Sequence, residues 1–183
     1  MLRHAQPVQR PFAQVSRVID PVLIETATAS LRLVTGSLED PKIREIAETR
    51  FLKAPIRGEF IVDDARRYVR ATATRYDAVV VDVFSSHTSI PGHLVTREFW
   101  QDARRALAPE GVLLANLILD GKLETPYARN LLATIESVFG RCGVDVLHRG
   151  QPLSNVIVSC QAGGQPSRDT PYSDERNGAD VDL

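Results

Sequence analysis

The sequence predicts an α/β domain built on a mostly parallel sheet with helices on both faces. Three observations carry this expectation. From about residue 16, short β-branched apolar runs alternate with longer stretches of helical spacing, the pattern of strand–crossover–strand units. Residues 78–81 form an uninterrupted apolar run closed by a carboxylate, Asp82, as expected of a strand covered on both faces. A chain of 183 residues, 43% hydrophobic and 25% charged, has the composition of an ordinary globular domain with a sizeable core.

The elements follow in order. Residues 16–20 read as a short strand, and Pro21 suits the first turn of a helix running to about Val34. After the turn signals Gly36 and Asp40-Pro41, residues 42–51 have helical spacing. Residues 58–62 are a strand, and Asp64 is placed to cap a helix over residues 65–72. The run at 78–82 is the next strand, followed by a loop of Ser, His and Thr. Thr96 then caps a helix carrying Phe99, Trp100, Ala103 and Leu107. Pro109-Glu110-Gly111 turns the chain into a strand at 112–117. A helix at 125–139 and strands at 144–148 and 155–160 complete the pattern. From Ala162 the composition is Gly, Pro, Ser, Asp and Arg, and predicts a disordered tail. The expected division is therefore an irregular segment 1–15, a domain 16–161 and a disordered tail 162–183.

Composition excludes several classes. A net charge of −1 gives no electrostatic footprint for nucleic acid. No apolar run approaches the roughly 18 residues that span a bilayer. The N-terminus has basic residues but no apolar segment, so it is not a secretory signal. Cys142 and Cys160 lack metal-ligand spacing and sit in or near apolar segments. They read as buried free thiols, which fits a cytoplasmic protein.

Asp82 is the first candidate for chemistry, because ligands of open α/β sheets bind outside the carboxyl ends of the strands. The plain alternative is a carboxylate capping the following turn. Asp64 carries the same ambiguity as a helix cap, and a carboxylate has oxygens enough for both roles. Ser85, Ser86 and His87 form no nucleophile elbow. His87 and His93 lack a third ligand with metal-site spacing. The pairs Arg66-Arg67 and Arg104-Arg105 read as solvated helix faces.

Five segments, in order, resemble a known family: Ile19-Asp20-Pro21; Asp64-Ala65-Arg66; Tyr76-Asp77 through Asp82; Ile90-Pro91 through Phe99 with its HLVTREFW core; and Leu107-Ala108-Pro109-Glu110-Gly111. Over residues 16–160 the chain resembles the later two thirds of a spermidine synthase catalytic domain. That family belongs to the Rossmann-like class that binds S-adenosylmethionine. The resemblance implies a transferase of polyamine biosynthesis. It would move an aminopropyl group from decarboxylated S-adenosylmethionine to a diamine such as putrescine, with no metal. It implies Asp82 as the catalytic carboxylate, Asp20 at the ribose, Asp64 and Ala65 at the adenine, and Tyr76 and Ser85 near the amine.

The departures from the family pattern are equally specific. No glycine precedes Gly36, so the Gly-rich turn after the family's first strand has no counterpart. Val18 stands where the family has a ribose-binding glutamate, and Ser85 where it has a second aspartate. The resemblance thus implies a sheet without its first strand, whose open edge calls for a second copy or a partner chain. A methyltransferase-type use of the site and a non-catalytic remnant or partner subunit stay open beside aminopropyl transfer.

Overall fold

The structure is a computed structural model, and it describes residues 32–35, 45–55, 59–82, 90–166 and 171–182. The strand expected at 16–20 lies outside these residues, as do all but the last residues of the helix expected after it. Those last residues differ from expectation: Arg32–Thr35 is a strand, β1, paired in parallel with β2, Glu59–Val62. Its Leu-Val-Thr core satisfies a strand as well as a helix, and pairing with β2 decides between them. A short π-helix, Ala47–Leu52, overlaps the end of the helical stretch expected at 42–51 between them.

Asp64 then caps helix α1, Ala65–Ala71, its side chain accepting from the Arg67 amide as the sequence predicts. Next come β3 (Tyr76–Val81), a 3-10 turn at Gly92–Leu94, and α2 (Arg97–Arg105). Thr96 holds the N-cap position of α2 by its backbone alone, with no side-chain capping bond. After these follow β4 (Leu107–Leu119), α3 (Pro126–Phe139), β5 (Gly143–Val146), β6 (Ser154–Gln161) and a final turn of helix, α4 (Ala179–Asp182). The start of α3 is written in its sequence: Thr125 accepts from the Ala128 amide, and Pro126 takes the first turn.

Strands β3 to β6 form one sheet in the order β3-β4-β6-β5. β3 and β4 are parallel, while β6 runs antiparallel to both of its neighbours. The predicted turn at Pro109–Gly111 lies inside β4. Tyr76 pairs with Leu107 but Ala78 with Val112, so two steps on β3 face five on β4 and the extra residues bulge out. Gly111 is required there, since a Cβ would come within 2.9 Å of the Tyr76 carbonyl.

Alternation along β4 and β6 buries one face of the sheet. Leu113, Ala115, Leu117, Val156 and Val158 pack with Phe99, Trp100, Leu131 and Ile135 of α2 and α3 in one core. Phe99 and Trp100 meet edge to face with centroids 5.0 Å apart, a geometry that adds about 1 kcal/mol beyond burial. The other face is only partly covered among the described residues. Val80 is 60% exposed, so β3 is not sealed on both faces as its apolar run predicts. Among the described residues β3 is also an edge strand, paired only with β4.

Two further expectations are corrected by tertiary packing. Cys142 and Cys160 form a disulfide rather than staying free thiols. Gly143 pairs with Ser159 across β5 and β6, which sets the preceding and following cysteines opposite each other. The tail is not a solvated coil throughout. Tyr172 is 1% exposed, its amide donates to the Thr134 hydroxyl at 3.1 Å, and its own hydroxyl donates to Asp182 at 2.7 Å. A few well-placed groups in a polar segment are enough to dock it on α3. Among the described residues no helix is long and apolar enough to cross a membrane.

Candidate functional site

Asp82 stands exposed at the carboxyl end of β3, as the sequence predicts. Parallel pairing of Val81 with Ala115 brings the next residue of each strand together. Asn116 Nδ2 donates to Asp82 Oδ1 at 3.1 Å. The amide orientation follows from chemistry, because an ionised carboxylate can only accept. Asn116 Oδ1 is buried and has no hydrogen-bond partner among the described residues. This donor holds one carboxylate oxygen and leaves the other for a ligand. Sequence reasoning missed Asn116, although an amide inside the run Val112 to Leu119 is a visible anomaly.

The second carboxylate, Asp64, lies between β2 and α1. Its Oδ1 accepts from the Arg67 amide at 2.9 Å, and its Oδ2 lies 3.2 Å from His93 Nε2. Burial opposes its ionisation, but the Arg67 amide and His93 outweigh it and hold the carboxyl below the ordinary range. Ala65 follows as the first residue of α1. Arg66, read from sequence as solvated, instead pairs with Asp174 and donates to the His93 carbonyl at 2.9 Å. The Arg66 guanidinium in turn is the main reason that the Asp174 carboxyl is depressed. The tail adds Asn177 Nδ2 to the Gly92 carbonyl at 2.8 Å and the Asp174 amide to Glu98 at 2.8 Å. The segment carrying His93 is therefore clamped between α1 and the tail.

Tyr76 is not brought to this site. It begins β3, six residues before Asp82, a separation of about 20 Å along an extended strand. Its hydroxyl lies 2.7 Å from that of Tyr68, which ties the start of β3 to α1. Asp20 and Ser85 lie outside the described residues. Asp120, at the end of β4, is another carboxylate on the same rim, and it serves its own loop. It accepts from the amides of Lys122, Glu124 and Thr125 and from the Thr125 hydroxyl. Burial would raise its pKa, but these donors hold it below the ordinary range. Among the described residues no three His, Cys, Asp or Glu side chains gather as a metal site.

The fold and this rim define a Rossmann-like α/β domain with a carboxylate presented at the carboxyl end of a parallel strand. Solved structures share that architecture. A probable spermidine synthase from Corynebacterium glutamicum superimposes with a TM-score of 0.58 at 23% identity, covering 79% of this chain and 50% of that one. A spermidine synthase in complex with the transition-state analogue AdoDATO also gives 0.58, at 21% identity, covering 77% and 49%. Among curated proteins, a polyamine aminopropyltransferase of Mycobacterium tuberculosis is 32% identical over 136 residues, 72% of this chain and 23% of that protein. Another, from Vibrio vulnificus, is 35% identical over 105 residues, 55% and 33%. No family model matches the sequence. The chain is similar to members of the spermidine synthase-like family, and it spans about half of these solved relatives and a third or less of these curated ones.

Proposed function

We propose that this domain takes part in aminopropyl transfer from decarboxylated S-adenosylmethionine to a diamine such as putrescine. The observation that carries the reading is Asp82, exposed at the end of β3 and held through one oxygen by Asn116, in a chain whose relatives are named polyamine aminopropyltransferases. In the reaction a primary amine attacks the carbon next to the sulfonium. The new C–N bond forms as the C–S bond breaks, and sulfur leaves as a neutral thioether. An alkylammonium is almost wholly protonated at neutral pH. The role for Asp82 is to accept its proton and aim the lone pair.

Asp64 is proposed to accept from the adenine amino group, and Ala65 to leave room for the ring. Each Asp64 oxygen already holds one partner, and each keeps lone-pair capacity for another. Asp20 is proposed at the ribose and Ser85 at the acceptor amine, both from the family resemblance. No metal enters this chemistry.

The test is incubation of the purified chain with decarboxylated S-adenosylmethionine and putrescine, with spermidine and the nucleoside thioether measured by mass spectrometry. Asp82→Asn should lower turnover by about 10²-fold, since an amide cannot accept the proton. Unchanged turnover in that variant removes Asp82 from the role. Methyl transfer from S-adenosylmethionine without spermidine formation overturns the reading as a whole.

A further inference from the structure

We propose that the outer face of α2 carries a second site, one that binds a small phosphate-bearing anion. A pocket of about 370 Å³ is lined there by Arg75, Arg97, Gln101, Arg104, Arg105 and Ser137. Neither Asp64, Asp82 nor Asn116 lines it. Positions 97, 101, 104 and 105 recur at helical spacing, so one face of a single helix supplies three of the four arginines. Among the described residues that line the pocket there is no carboxylate.

The four guanidinium groups are not equivalent. Arg104 is committed to structure, donating to the carbonyls of Ala162, Val138 and Gly164. Arg105 donates to the carbonyls of Val69 and Arg70 and to Asp102. These two cover the carbonyl ends of α1 and α3, which would otherwise repel an anion. They also form fixed walls that need no reordering on binding.

Arg75 and Arg97 have no such commitment. Arg75 makes no side-chain hydrogen bond or ion pair among the described residues, and Arg97 Nε is buried without a partner. A buried donor left unsatisfied is a cost that a bound acceptor removes. Like charges converging on one pocket repel, and a bound anion relieves that as well. The planar fork of arginine matches phosphate oxygens in pairs. The volume lies within the ordinary range of small-ligand pockets.

Pyrophosphate is the probe. Calorimetry and thermal unfolding of the full 183-residue chain would be run with pyrophosphate, and with sulfate at matched ionic strength. Expected is saturable pyrophosphate binding that raises the unfolding midpoint more than sulfate does. Binding should weaken about tenfold or more in Arg75→Gln/Arg97→Gln, which spares the carbonyl bonds of Arg104 and Arg105. Should the double variant unfold, Arg75→Gln alone alters an exposed residue, and a severalfold loss is then expected. No binding, or unchanged binding in the variant, overturns the site. An equal response to sulfate, an adventitious ion only, overturns it too. The readout is independent of any transferase activity.

Discussion

Replacing Tyr172 with alanine should destabilise the domain by about 3–5 kcal/mol, the usual cost of truncating a fully buried aromatic side chain. Tyr172 is 1% exposed and lies 6.5 Å, centroid to centroid, from Tyr127. Its hydroxyl donates to Asp182, which Asn130 also reaches at 2.7 Å. Its backbone carbonyl accepts from the Arg97 amide at 3.0 Å, at the first turn of α2. The ring thus pins the tail to α3 while the backbone pins it to α2. For a chain of this size each kcal/mol moves the unfolding midpoint by about 2–4 °C, so a drop of about 6–20 °C is expected. Urea unfolding followed by circular dichroism would read the free energy, and limited proteolysis would read release of the tail. Tyr172→Phe, which keeps the ring and loses only the hydroxyl, should cost less. A change below about 0.5 kcal/mol in the alanine variant, the range of ordinary surface substitutions, would refute packing of this segment.

Four further outcomes are expected. Asn116→Leu, near in volume but without a donor, should lower kcat about tenfold with little change in KM for the nucleoside, and Asn116→Ser should restore part of it; steady-state kinetics decides. Cys142→Ser should cost about 3 kcal/mol in unfolding experiments, from a disulfide spanning 18 residues, and reductant should reproduce the loss. Stability should depend on pH at both ends. The carboxyls of Asp64, Asp120 and Asp174 are depressed below 3.8, so their contribution is present above that value and lost as pH falls through their folded values. Tyr172, raised above 10 chiefly by burial and then by Asp182, contributes fully below pH 10 and loses that contribution as pH rises further. Urea titrations across pH would show both limbs, with the acid limb shallower in Asp120→Asn. Finally, the β3 edge, unpaired among the described residues, should make the chain self-associate in light scattering, and Val80→Lys should reduce it.

Much of the fold is legible along the chain because its signals are local. The caps at Asp64 and Thr125 are set by side chains reaching amides three residues away. The alternation of β4 and the helical spacing of Phe99, Trp100 and Ala103 follow directly from periods of two and 3.6. What failed locally failed for a tertiary reason. The Leu-Val-Thr of β1 suits helix or strand until β2 pairs with it. Arg104 looks solvated until three carbonyls distant in sequence converge on it.

The candidate site divides in the same way. By itself the sequence determined that a carboxylate, Asp82, closes an apolar strand, that Asp64 caps a helix, and that these segments occur in the order of a known family. The first two are properties of residues within a few positions of one another, and the third is read from short segments taken in chain order. Only the tertiary structure decided that Asn116 holds Asp82 and that His93 returns to Asp64 across 29 positions. It also joined the two cysteines and docked Tyr172. Strand register and chain return set these distances, and neither is encoded within a window of neighbouring residues.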